Sequence, residues 1–101
     1  MSTKKIYIAG KVTGLPLHKV SMKFGAHEKK LLTDGHTPIV PLNIVNKEDD
    51  WTTAMGKCIP ALIQCDEVHM LPCWVDSEGA KLEHAIAKNM GIKIIYVRDQ
   101  L

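Results

Sequence analysis

Lys5-Ile6-Tyr7-Ile8-Ala9, closed by Gly10, is the first of four short apolar runs, and what lies between those runs decides the fold. After Pro16, the residues Val20, Phe24, His27 and Leu31 recur at helical spacing, and Asp34-Gly35 supplies a stop. Thr37-Pro38-Ile39-Val40 is the second strand, and its proline suits only a sheet edge. A long polar loop, residues 41–51, leads to a helix capped by Thr52 or Thr53, with Met55, Cys58, Ile59 and Leu62 on its apolar face. Pro60 removes a hydrogen bond from that helix and predicts a kink or break. Glu67-Val68-His69-Met70-Leu71 is the third strand, residues 77–90 hold the third helix with Gly91 as its stop, and Ile92 to Val97 form the last strand. Strands alternating with helices imply an α/β fold with a parallel sheet of about four strands.

At 101 residues, without repeat, linker or low-complexity stretch, the chain reads as one domain spanning 1–101. Thirteen basic and eleven acidic side chains leave a net charge of +2, and the lysines form no aromatic-interleaved stripe, so no nucleic-acid partner is expected. Absence of a membrane-length apolar run or a signal-peptide core after Met1 predicts a cytoplasmic protein with no membrane partner. Cys58, Cys65 and Cys73 are an odd number without a CxxC pair, which favours reduced thiols. Cys65, His69 and Cys73 share strand parity. They lie along one stretch, however, whereas a zinc site wants two converging elements, so they are read as core residues and no metal or cofactor is expected.

In open α/β sheets ligands bind beyond the carboxyl ends of the strands, where the strand-to-helix loops converge. Three such loops carry Lys11, Thr13, Asn43, Asp49, Asp50, Trp51, Trp74, Asp76 and Ser77, while Asp66, at the opposite end, is read as structural. Gly10-Lys11-Val12-Thr13-Gly14 follows the first strand but fits neither dinucleotide nor P-loop spacing; its glycines suit a close ligand approach or a tight turn equally. Trp51 and Trp74 offer faces on which a planar base could stack, or simple loop packing. Ser77 suits a helix N-cap and an anion site alike. In the stretch Asp76-Ser77-Glu78-Gly79-Ala80-Lys81-Leu82-Glu83-His84-Ala85, Glu83 falls on the small-residue face with Ala80 and Ala87. A carboxylate there is partly buried, which points to an active-site group or to a pairing with Lys81, His84 or Lys88.

Residues 6–10 followed by Thr13-Gly14, Pro41-Leu42-Asn43, Trp51, Cys65-Asp66, Leu71-Pro72, Trp74 and Ser77-x-Gly79-x-x-x-Glu83-x-x-x-Ala87 together resemble the nucleoside 2-deoxyribosyltransferase-like superfamily. More narrowly, they resemble a small phage and prophage branch labelled a domain of unknown function. The resemblance implies a flavodoxin-like fold, a catalytic nucleophile at Glu83 with Tyr7 beside it, and a homodimer or higher homo-oligomer. It implies a nucleoside or nucleotide ligand, with Gly10, Thr13, Gly14, Asn43, Trp51, Trp74, Ser77 and Gly79 as substrate-binding positions. Serine at position 77, where the transferases carry aspartate, is similar to the 2′-deoxynucleoside 5′-phosphate N-hydrolases, in which it contacts phosphate. The catalytic aspartate those enzymes place on the helix before the third strand has no counterpart in Ala54-Met55-Gly56-Lys57. Asp49, Asp50 and Asp76 are then the candidate general acids. The expected activity is cleavage of an N-glycosidic bond in a 2′-deoxynucleoside or its 5′-monophosphate, by deoxyribosyl transfer to water or a second base. The alternatives are a catalytically silent nucleotide-binding module and an NAD or ADP-ribose glycohydrolase-like enzyme.

Overall fold

The computed structural model describes residues 3–98; residues 1, 2 and 99–101 of the domain read above as spanning 1–101 lie outside the described residues. Its order is β1 (Lys5–Ala9), α1 (Leu17–Thr33), β2 (Thr37–Ile39), α2 (Trp51–Ile63), β3 (Glu67–Met70), α3 (Glu78–Met90) and β4 (Lys93–Tyr96). All four strands are parallel in the order β2-β1-β3-β4, the flavodoxin-like order without a fifth strand. β2 lies at an edge, as Pro38 requires. No helix among the described residues is long and apolar enough to cross a membrane.

Strand alternation divides the interior into two layers. Ile6 and Ile8 face α1, packing with Val20, Phe24 and Leu31. Tyr7, Ala9, Val68 and Met70 face the other way, against Cys58 and Leu62 of α2 and Ala80 and Ala87 of α3. Burying each large apolar side chain contributes roughly 1.5–3 kcal/mol, and Phe24, Ile6, Ile8 and Leu62 are essentially sealed. Ala80 and Ala87 have a positional role: their small side chains bring the α3 backbone close to the sheet, and Glu83 rides on the same face.

Local chemistry sets the element ends and corrects several expectations. Asp50, rather than Thr52 or Thr53, caps α2 by accepting the Thr53 amide at 2.8 Å, which places Trp51 on the helix instead of in the loop. That loop contains a 3₁₀ turn at Pro41–Asn43. Helix α2 runs uninterrupted through Pro60; Gly56 and Pro60 are exposed, so water can take the carbonyl that the proline leaves without a partner. The second, third and fourth strands end one residue earlier than expected, and the fourth begins one residue later, although the Leu71 and Val97 amides still bond to Ala9 and Met70 of the neighbouring strands. Ser77 stands just outside α3 as its cap, and Gly91 ends that helix at φ 74°, a conformation suited to glycine. Asp66 binds the Lys5 amide at 2.8 Å, fastening the start of β1 as expected of a structural residue.

Candidate active site

Above the carboxyl ends of β1, β2 and β3 lies a cavity of about 970 Å³, at the upper end of the range for small-molecule sites. Its walls come from the loop after β1, the segment 40–47, the first two turns of α2, the start of α3, and one flank of α1. Of the substrate-binding positions expected from the sequence, Gly10, Thr13, Asn43, Trp51, Ser77 and Gly79 line it, together with Glu83. Tyr7 lies beneath, fully buried.

Glu83 is 4% exposed. Its Oε2 accepts the Tyr7 hydroxyl hydrogen. The other oxygen, Oε1, accepts no hydrogen bond from a described residue, and no completely buried side-chain oxygen among the described residues lacks a partner. Since Glu83 lines the cavity, Oε1 is the oxygen presented to it. Burial pushes the carboxyl up to about 7 against the opposing pull of the Tyr7 hydrogen bond. Burial, with the Glu83 charge beside it, raises the Tyr7 phenol far above its ordinary range, so the phenol remains a neutral donor. The Cys58 thiol adjoins the same phenol and is also raised by burial. Cys58 faces the cavity as well; its place on an apolar helix face reads in the sequence as ordinary core, and no spacing signal distinguishes it.

At the mouth, Ser77 Oγ accepts the Ala80 amide at 3.1 Å. That bond leaves the hydroxyl hydrogen free at a helix N-terminus, where the backbone favours negative charge. Gly79 is needed for helix packing: an added methyl would sit 3.1 Å from the Met55 sulfur and 3.7 Å from Trp51 Nε1. Trp51 is therefore next to the first turn of α3. Gly10 is also a packing residue, since a methyl there would come within 3.1–3.3 Å of Leu71 and Phe24.

Three expected positions fall outside the cavity. Gly14 occupies an exposed turn at φ 85°. Trp74 belongs to a 3₁₀ turn, Pro72–Asp76, and stacks on His84 with ring centroids 4.3 Å apart. This position follows from its helical neighbour, because the imidazole on the outer side of α3 covers the indole. Asp76 ends the same turn, exposed. The two remaining candidate acids line the cavity but are committed elsewhere. Lys57, at 2.6 Å, holds Asp49 below the usual carboxylate range, and hydrogen bonds from Thr53 do the same for Asp50.

The cysteines and His69 have separate partners: Cys65 donates to the Ala61 carbonyl, Cys73 accepts from Lys23 and the Lys11 amide, and His69 lies between His27 and Glu67. Among the described residues no group of three or more histidine, cysteine, aspartate or glutamate side chains is arranged to hold a metal ion.

A comparison with curated proteins returns no match. A family model described as "Domain of unknown function (DUF4406)" matches residues 4–96, from the residue before β1 to the last residue of β4. With nearly the whole chain covered, including every element that builds the cavity, the protein belongs to the DUF4406 domain family.

Proposed function

We propose that the protein cleaves the N-glycosidic bond of a 2′-deoxynucleoside or its 5′-monophosphate, with Glu83 as the nucleophile. The observation that carries this reading is a 96%-buried arrangement at the strand ends: Glu83 has one oxygen fixed by Tyr7 and the other turned to an open cavity. A buried carboxylate without a counter-ion destabilises the fold, and such a group in a cleft is a functional-site signal. The sequence resemblance to the deoxyribosyltransferase-like enzymes supplies the reaction class.

In this mechanism Glu83 Oε1 attacks C1′ as the base departs, forming an ester that water or a second base then resolves with retained configuration. Tyr7 holds the carboxylate in one rotamer and shares its charge. Ser77 and the first amides of α3 receive the 5′ end, with phosphate matched to the helix terminus. Asn43 and Trp51 contact the sugar or base. An assembly of two or more copies, as the resemblance implies, suits a chain whose sheet has two open edges.

Incubation with a panel of deoxynucleosides, deoxynucleoside monophosphates and NAD, followed by chromatography, tests the proposal. Released base from a deoxy substrate, absent with Glu83→Gln, is expected. Tight binding without release from any substrate would instead identify a silent nucleotide-binding module.

A further inference from the structure

Cleaving a neutral nucleoside requires a proton for the departing base, and general acid catalysis of this kind is worth about 10²–10⁴-fold in rate. The described walls of the cavity contain no histidine. Asp49 and Asp50 are held ionised by Lys57 and by the α2 cap, and Asp76 is outside. Cys58 adjoins Tyr7, on the nucleophile's side of the sugar, whereas the leaving base departs from the opposite side. Glu28, the remaining acidic wall residue, sits on α1 and makes no hydrogen bond to a described residue.

The same walls carry four acidic side chains, Glu28, Asp49, Asp50 and Glu83, against one basic side chain, Lys47. The charge of Asp49 is cancelled by Lys57; the excess that remains is negative, and a cleft lined by one sign of charge concentrates ligands of the other. Asp50 and Trp51 are adjacent at the start of α2, with the indole 51% exposed. An exposed indole in a wall of net negative charge suits a flat cation.

From the free carboxylate oxygen of Glu83 and a wall that is negatively charged and, among its described residues, without histidine, we propose that the leaving group is a cationic heteroaromatic base: a ring whose glycosidic nitrogen system already carries positive charge, as in N-alkylated purines or pyridinium glycosides. This rests on the glycosidic reading above and narrows its substrate class. The chemistry then balances without a general acid. Glu83 Oε1 forms a bond to C1′, the C1′–N bond breaks, and its electron pair neutralises the ring, so the base leaves uncharged. Water next attacks C1′, the ester C–O bond breaks, Glu83 leaves as carboxylate, and one proton passes to solvent. A 5′-phosphate remains compatible, because the α3 terminus lies next to Trp51 and takes the anionic end of a zwitterionic substrate.

Release of base by the wild-type chain is measured from N7-methyl-2′-deoxyguanosine and from nicotinamide 2′-deoxyriboside, each against 2′-deoxyguanosine, with and without 5′-phosphate. Spontaneous loss is subtracted using Glu83→Gln. The expected result is a kcat/KM at least about 10²-fold higher on one or both cationic substrates. Glu83-dependent cleavage of 2′-deoxyguanosine or its monophosphate within about tenfold of both cations would overturn this inference while leaving the glycosidic reading intact, because the site would then possess a proton donor. No Glu83-dependent release from either cationic substrate would overturn this inference, and no release across the whole deoxynucleoside panel would overturn the glycosidic reading as well.

Discussion

Two glutamates are buried among the described residues, Glu67 on β3 and Glu83 on α3, and they are opposites in almost every other respect. Glu67 faces the α1 side of the sheet, 7% exposed, beside a smaller cavity of about 340 Å³. Both its oxygens are used: Lys4 at 2.7 Å and His69 at 3.0 Å, with His69 passing on to His27 at 2.9 Å. The Lys4 ammonium holds its carboxyl below the ordinary range, and burial, with His69 beside it, pushes His27 down to about 4, leaving that imidazole neutral. Glu83 has a single neutral partner and is pushed up. Burial alone therefore does not mark a functional carboxylate; a buried carboxylate whose second oxygen is left for something else does.

The contrast predicts opposite responses to the same substitution. The folded state binds the Glu83 proton more tightly than the unfolded chain, whose carboxyl titrates near 4.5. Its contribution to stability is therefore complete below pH 4.5 and is lost as pH rises through about 7. Glu83→Gln should stabilise the protein at pH 8 by an amount of the order of 3 kcal/mol, and the gain should vanish near pH 4, as measured by denaturant unfolding at the two pH values. Glu67→Gln should destabilise it at neutral pH by about 1–2 kcal/mol, because Lys4 and His69 lose a charged acceptor. That difference should hold above the unfolded-chain value of 4.5 and fade as pH falls below it through the lowered value of the folded Glu67 carboxyl. Equal effects of both variants would erase the distinction.

Ser77→Ala sharpens the cavity side of the comparison. Loss of a hydrogen bond to a charged group costs about 1.5–3 kcal/mol, so activity on a deoxynucleoside 5′-monophosphate should fall roughly ten- to a hundredfold, with the free nucleoside nearly unaffected. The lost cap lowers stability by about 1 kcal/mol, so the ratio of the two substrates on folded protein is the quantity to measure. An equal loss on both would assign Ser77 to the fold or the sugar. The smallest effect concerns the tryptophans: a bound planar base should quench Trp51, not Trp74. Ligand-dependent fluorescence should therefore survive in Trp74→Phe and disappear in Trp51→Phe.

Those tryptophans also show where sequence reading stops. Alternation of apolar runs with helical spacing locates all four strands and three helices, because periodicity is a backbone property that each segment declares by itself. Glu83 is legible for the same reason: helical spacing puts it on one face with Ala80 and Ala87. Trp51 and Trp74 look alike as loop tryptophans, yet one lines the cavity and the other stacks on His84. The difference depends on a single cap, Asp50 in place of Thr52 or Thr53, and on a 3₁₀ turn, neither of which has a long-range pattern. The facing of Cys58 toward Tyr7 and the chain from Lys4 to His27 join residues from separate elements. Such contacts become visible only when the sheet order is known.

The central claim is that Glu83 forms the bond to C1′. Its most direct test is to quench the reaction with a 2′-fluorinated substrate, whose electronegative substituent slows breakdown of the ester, and to map the protein by peptide mass spectrometry. The account predicts a fluorodeoxyribosyl group on Glu83, in stoichiometric amount and absent from Glu83→Gln. Release of base from that substrate with Glu83 unmodified, or with the sugar attached to another residue, would contradict it.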